Sequence, residues 1–101
     1  MAEFVRVAGI KDIPEGEGKA FDVAGRQVAV FNRRGRFYAI DNTCKHQGGP
    51  LGEGELDDLT VVCPWHGWTY NIETGESPDD PDCAVATYEV KVEGDSVLVA
   101  V

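Results

Sequence analysis

Alternation of apolar and polar residues with a period of two is the feature that most restricts the fold of this chain. It is clearest at residues 88–93, YEVKVE, and it is also visible at residues 4–8, FVRVA. Such alternation is typical of antiparallel strands with one buried face. No stretch of ten or more residues carries the apolar stripe of a helix, and twelve Gly and five Pro interrupt the chain often. The sequence therefore predicts an all-β fold, a small antiparallel β-sandwich or barrel built from two or three sheets.

Turn residues divide these runs into hairpins. Residues 26–41 predict two strands joined at Asn32-Arg33-Arg34-Gly35, where glycine suits a positive φ, and Glu93-Gly94-Asp95 predicts a second turn. Residues 42–58 and 76–83 lack the alternation and are predicted to be loops. Because functional residues concentrate on loops held by a rigid scaffold, these two stretches are where we expect the function to lie.

Size and charge restrict the class of protein. The 101 residues predict a single domain, 1–101, with room for one core. The net charge of −9 argues against nucleic acid or an anionic membrane surface as a partner. No apolar run approaches the roughly 20 residues needed to span a bilayer, and the N-terminus lacks the pattern of a secretory signal. Three cysteines make a disulfide scaffold improbable, so we expect a cytoplasmic protein with reduced thiols.

Two short segments of similar composition contain both histidines of the chain and two of its three cysteines. They are CKHQGG at 44–49 and CPWHGW at 63–68, and they supply Cys44, His46, Cys63 and His66. Cys and His both bind soft or borderline metals. Each segment also holds glycine after its His, which lets the backbone fold tightly and direct N–H groups at an anionic sulfur.

Three interpretations of this pattern compete. The two segments could hold these residues by chance, or two Cys and two His could close around one structural zinc. Zinc fingers, however, usually pair Cys with Cys and His with His, whereas each segment here holds one of each. The third interpretation is a [2Fe–2S] cluster with two thiolates on one iron and two imidazoles on the other. The mixed segments favour the cluster, since each loop then supplies one ligand to each iron.

The pattern C-x-H followed by C-P-x-H-G resembles the Rieske family. The flanking residues FYAIDNTCKHQGGPLGEGEL and VVCPWHGWTYNIETGE agree, and the resemblance covers about residues 28–93. It implies one [2Fe–2S] cluster in a loop-rich subdomain at about residues 42–72. It also implies that Cys44 and Cys63 hold an inner iron and that His46 and His66 hold an outer iron near the surface. The stretch SPDDPD at 77–82 stands in the place of the family's proline loop.

The resemblance also bears on the reduction potential. High-potential members carry an extra Cys in each loop, where this chain has Gly49 and Trp65, and a Ser hydroxyl donor where it has Trp68. Tyr70 stands in the position of a tyrosine whose hydroxyl donates to a cysteine sulfur in those members. Fewer donors to sulfur leave the reduced state less stabilised, so we expect a potential at the low end of the family's range. The remaining Cys83 is expected to be a buried small apolar residue without a role in the cluster.

The resemblance implies an electron carrier rather than an enzyme. A complete Rieske oxygenase also needs a mononuclear iron held by two His and a carboxylate, and both histidines of this chain are already committed. We expect a monomeric ferredoxin that passes single electrons from a flavin-dependent reductase to a terminal Rieske-type oxygenase. The alternative is a small subunit of a larger reductase, such as an assimilatory nitrite reductase, although many such subunits lack the ligands. A zinc-stabilised interaction module is the third hypothesis.

Overall fold

The computed structural model describes residues 3–23, 25–42, 50–64, 68–77 and 84–100. Most of these residues lie in strands, with two short 3-10 helices between them. The strands are β1 Phe4–Gly9, β2 Gly18–Val23, β3 Arg26–Arg33, β4 Arg36–Asp41, β5 Glu55–Asp57, β6 Thr60–Val62, β7 Thr69–Asn71, β8 Thr87–Tyr88, β9 Val90–Glu93 and β10 Ser96–Ala100. The 3-10 helices are Ile10–Asp12 and Leu51–Glu53. Each is three residues long, and no helix in this part of the chain could cross a membrane.

The described strands form three antiparallel sheets. Their orders are β1-β10-β9, β2-β3-β4-β8 and β5-β6-β7. The predicted all-β class and the prediction of two or three small antiparallel sheets are therefore confirmed. The predicted hairpin is also confirmed, because Arg33 pairs with Arg36 and the two turn residues between them, Arg34 and Gly35, both have positive φ, at 52° and 86°. Two successive positive φ angles are the signature of the type I′ turn, whose twist matches that of the flanking strands.

Two predictions of local structure were wrong. The alternating run at 88–93 is not one strand, because the chain leaves the β4 edge after Tyr88 and joins β10 at Val90. Alternation does not show which strand lies alongside, and here it also overstated burial, since Val92 on the apolar face is 46% exposed. The predicted loop at 42–58 contains a 3-10 helix and the strand β5. With three residues, β5 is too short to show a period, and its pairing with β6 holds it in place.

The core has two parts, one on each face of β3. Val28 and Val30 point into a cluster with β1, β4 and β10 residues, whereas Ala29 and Phe31 point into a second cluster. Because β3 is buried on both faces, it reads as the continuous apolar run VAVF rather than as an alternation. The second cluster joins the four-stranded sheet to β6 and β7, and its other buried members are Ile40, Leu51, Val61, Cys63, Tyr70, Ile72 and Val85. One predicted metal ligand thus lies in the hydrophobic core.

Candidate metal centre

Of the four predicted ligands, Cys63 lies within the described residues, and Cys44, His46 and His66 lie outside them. Within the described ranges, no group of three or more His, Cys, Asp or Glu side chains is placed to hold a metal ion. The structure therefore describes the surroundings of the centre through Cys63 and through the stems of the two ligand segments. A stem is the set of residues that enter and leave a ligand segment, 43–49 or 64–67.

The stem of the first ligand segment is closed by Asn42, which follows β4. The N–H of Leu51 donates to the carbonyl oxygen of Asn42 (2.6 Å), and the N–H of Gly52 donates to its side-chain Oδ1 (2.7 Å). The Asn42 N–H itself donates to the carbonyl oxygen of Gln27 on β3 (2.9 Å). Asn42 is buried, so these bonds lie away from competing water. They hold the two ends of the segment together at the end of β4.

The stem of the second ligand segment is the β6–β7 hairpin. Val62 pairs with Thr69, and one step further the N–H of Cys63 donates to the carbonyl oxygen of Trp68 (2.7 Å). Cys63 is 1% exposed. Its thiol is thus fixed by the backbone on the inner side of the hairpin, at the base of the segment that contains His66.

Gly54 brings the two stems together. A Cβ on this residue would collide with the carbonyl oxygen of Val62 and lie 2.9 Å from Cγ2 of Val61. The chain that leaves the first ligand segment therefore lies directly on β6, the strand that leads into Cys63. A side chain at position 54 would separate them, since glycine alone permits so close an approach.

The close approach at Gly54 gives the first prediction. Gly54→Ala should lower the free energy of unfolding by about 1–3 kcal/mol, the usual cost of overpacking, and should reduce iron content. Gly9→Ala is the matched control, because both glycines have a negative φ (−74° and −85°) and the nearest atom to a Cβ on Gly9 is 3.2 Å away. Thermal unfolding and iron analysis of both variants measure the effect. Equal losses in the two variants would show that the packing of the stems is unimportant.

The residues that enter and leave the predicted proline loop form a third stem, which lies beside β7. The N–H of Asn71 donates to the carbonyl oxygen of Glu76 (2.8 Å), and the N–H of Val85 donates to that of Gly75 (2.8 Å). Most of the predicted proline loop and the predicted buried Cys83 fall at 78–83, outside the described residues. Ser77, which begins the loop, is 2% exposed, and its Oγ has no hydrogen-bond partner among the described atoms.

The aromatic residues singled out in the sequence take different positions. Tyr70 is fully buried in the same cluster as Cys63, and Trp68 is half-buried against that cluster. Both of these residues have an interaction partner. Trp65 lies outside the described residues.

Asp41, the last residue of β4, connects the first stem to residues 86–88, which follow the third stem. Its N–H donates to the carbonyl oxygen of Ala86 (3.0 Å), and its carboxylate accepts from the Ala86 N–H (3.2 Å) and from the Tyr88 hydroxyl (2.7 Å). Burial, and then the hydrogen bond to Asp41, raise the pKa of Tyr88, and the nearby Arg26 opposes them. The hydroxyl therefore stays protonated and able to donate at neutral pH.

Charge is distributed unevenly around the stems. Residues 46–90 contain ten of the 18 carboxylates and no Lys or Arg. In the described part of this range, the exposed carboxylates include Glu53, Glu55, Asp57, Asp58, Glu73 and Glu76. A cation from outside the range reaches them, since Arg33 Nε donates to Asp58 (2.6 Å) at the β5–β6 turn. The described surface of this range is thus acidic, and Lys45 of the first ligand segment lies just outside the range.

The residues fit an iron–sulfur group. A [2Fe–2S] cluster of the Rieske type takes two thiolates and two imidazoles, and the two segments contain that donor set. The described residues add a thiol held in the core and two stems packed against each other. Sequence reasoning missed Asn42, Asp41 and Gly54, whose part in the stems depends on partners distant in the chain.

Comparison with known protein families agrees with this donor set. The model of the Rieske [2Fe-2S] domain matches residues 3–89. The ferredoxin component of the alkene monooxygenase system of Xanthobacter autotrophicus is 35% identical over 96% of this chain and 80% of its own length. The 3-phenylpropionate/cinnamic acid dioxygenase ferredoxin subunit of Escherichia coli K12 is 38% identical over 89% of this chain and 86% of its own.

Solved structures give the same result. The ferredoxin of carbazole 1,9a-dioxygenase from Nocardioides aromaticivorans IC177 superposes with a TM-score of 0.88, at 34% identity over 95% of both chains. A chain from a complex of reduced oxygenase and oxidised ferredoxin of carbazole 1,9a-dioxygenase gives 0.87, at 32% identity over 96% of this chain and 92% of that one. A nitrite reductase small subunit from Mycobacterium tuberculosis reaches 0.93 over 100% and 96% of the two chains, but at 22% identity, so that likeness shows the fold alone.

Proposed function

We propose that this chain, which belongs to the Rieske [2Fe–2S] domain family, carries single electrons from a flavin-dependent reductase to a terminal Rieske-type oxygenase. The observation that carries the proposal is the match, over most of both lengths, to relatives that are ferredoxin components of oxygenase systems. The carbazole dioxygenase ferredoxin forms a complex with its oxygenase, which supports an oxygenase as the acceptor. We further propose that the chain acts as a monomer in the cytoplasm, as one domain with a cluster-binding subdomain at about 42–72.

In this proposal Cys44 and Cys63 bind one iron, and His46 and His66 bind the other. When bound, the [2Fe–2S] group takes up one electron and releases it again. The protein's part is to hold the ligands still, because a donor set that moves on reduction slows electron transfer. Asn42 closes one stem, the bond between Cys63 and Trp68 closes the other, and Gly54 packs them together.

The ligand types determine the potential. Two ferric ions, two sulfides and two thiolates sum to zero when the imidazoles are neutral, so reduction gives a charge of −1. With four thiolates the oxidised state would already carry −2 and would accept an electron less readily. The exchange of two thiolates for imidazoles places the family at about −150 to +300 mV. A buried Cys63, away from water that would stabilise added charge, supports a value in the lower part of that range.

The acidic surface supports the proposal that the partner proteins have basic docking faces. Opposite charges speed the encounter of two proteins, and salt screens them over about 8 Å at physiological ionic strength. An electron carrier must meet two partners in turn, so fast and reversible encounter suits it better than a permanent interface.

Metal analysis and EPR of the reduced protein test the proposal. We expect two irons and two acid-labile sulfides per chain, one electron per chain in a reversible titration, and a rhombic signal with an average g below the free-electron value. Iron-replete expression and anaerobic handling guard against loss of the cluster. One zinc without sulfide, in protein prepared this way, would instead establish the interaction module and end the electron-carrier hypothesis.

The second candidate is a small subunit of a larger reductase, such as an assimilatory nitrite reductase. A nitrite reductase small subunit shares the fold, although at 22% identity. Gel filtration of the protein from its native cells separates the two functions. A free carrier elutes at the mass of a small monomer, whereas a subunit elutes with a large partner.

A further inference from the structure

The β4–β8 pairing ends at Asp41 in an unusual way. Ala39 pairs with Tyr88 and Ile40 with Thr87, so Asp41 would next exchange two backbone bonds with Ala86. The Asp41 N–H does donate to Ala86, but the Ala86 N–H donates to the Asp41 carboxylate instead of to its carbonyl oxygen. The side chain thus replaces its own backbone as acceptor. Because the carbonyl is released, the chain can turn out of the sheet at Asp41 without leaving the Ala86 N–H unpaired.

The second carboxylate oxygen reinforces the attachment. Tyr88 Oη donates to Oδ1 of Asp41 (2.7 Å), while Oδ2 accepts from Ala86. Tyr88 is half-buried and pairs with Ala39 of β4, so the strand pairing places its hydroxyl beside Asp41. The carboxylate is therefore held at two points by residues 86–88. This attachment lies one residue before Asn42, which closes the first stem, and three residues before Cys44.

We propose that Asp41 is a positioning residue for the first ligand segment. Its carboxylate fixes the end of β4 against residues 86–88, and so sets the base from which Cys44 and His46 extend. The inference rests on the ligand assignment proposed above. It assigns to the carboxylate a geometric role that is separate from its negative charge.

Two substitutions separate geometry from charge. Asp41→Asn removes the charge but keeps both contacts, because Oδ1 accepts from the Ala86 N–H and the amide N–H donates to the Tyr88 oxygen. Asp41→Ala removes charge and contacts together. Tyr88→Phe removes one of the two contacts of Asp41, together with the hydrogen bond between Tyr88 and Arg26, and leaves position 41 unchanged. Asp95→Ala is the control for loss of an exposed aspartate, at the β9–β10 turn on another sheet.

Three measurements are made on each variant. The first is amide hydrogen exchange at residues 84–88, the second is the rate of iron loss to a ferrous chelator, and the third is the midpoint potential. In Asp41→Ala we expect exchange at Ala86 and iron loss to rise about tenfold, the change produced by losing one or two hydrogen bonds. Tyr88→Phe should give a smaller rise, and Asp41→Asn and Asp95→Ala should stay near the wild-type protein.

The midpoint potential is the reading that a merely structural role would not move. Asp41→Ala and Asp41→Asn lack the same charge, so a difference between their potentials reports the position of the ligands. Equal potentials and equal rates of iron loss in these two variants would overturn the inference. A wild-type protein without iron would instead overturn the proposed function, and the exchange comparison would still test the attachment itself.

Discussion

Cys63→Ser is expected to give a folded protein that binds no iron. The hydrogen bond that closes the β6–β7 stem is made by the backbone N–H of Cys63, so serine preserves it. A hydroxyl is, however, a poor substitute for the thiolate that an iron–sulfur cluster requires. Because the residue is 1% exposed, the new hydroxyl also costs about 1–3 kcal/mol of stability if it finds no partner. Iron and sulfide analysis measures the loss of iron. Circular dichroism with thermal unfolding shows that the protein is folded and measures its stability.

Cys83→Ser is the matched control for this substitution. The same chemical change is made at the cysteine outside the two ligand segments, so iron content should stay at the wild-type value. Loss of iron from Cys83→Ser would show that the third cysteine had been misjudged. Full iron content in Cys63→Ser would contradict the ligand assignment itself.

The strands that sequence alone predicted are apolar or alternating runs of several residues with turn residues beside them. The hairpin at 26–41 was found because an apolar run, a glycine turn and a second run follow one another directly. The division of 88–93 between β8 and β9 was missed because both halves keep the same alternation while they pair with different strands. β5 was missed because one apolar residue, Leu56, between two acidic residues carries no period.

The candidate site likewise has a part that the sequence predicted and a part that it did not. Its ligands were predicted from residue type and spacing, since Cys and His in two mixed segments are rare in any other role. The residues that hold the stems gave no such signal. Asn42 depends on Gln27, and Asp41 depends on Ala86, 45 residues further on. Gly54 is one of twelve glycines, and only the position of Val62 shows why it must lack a side chain.

His66→Cys is expected to retain a cluster with a lower reduction potential. One neutral imidazole becomes an anionic thiolate, so the oxidised state gains a charge of −1 and the added electron is repelled more strongly. Four-thiolate ferredoxins of the plant type have potentials of about −400 mV, below the Rieske range of about −150 to +300 mV, so the potential should shift toward that lower value. Redox titration followed by visible absorbance measures it, with iron and sulfide content as proof that the cluster has assembled.

A matched control must lower the net charge by the same unit elsewhere. Arg34→Asn does so at the exposed β3–β4 turn, and asparagine tolerates the positive φ of 52° found there. Because water and salt screen an exposed charge, this variant should leave the potential almost unchanged. A large shift in His66→Cys alone then measures the charge at the ligand. Equal shifts in the two variants would mean that net charge sets the potential, and an unchanged potential in His66→Cys would mean that His66 does not bind the metal.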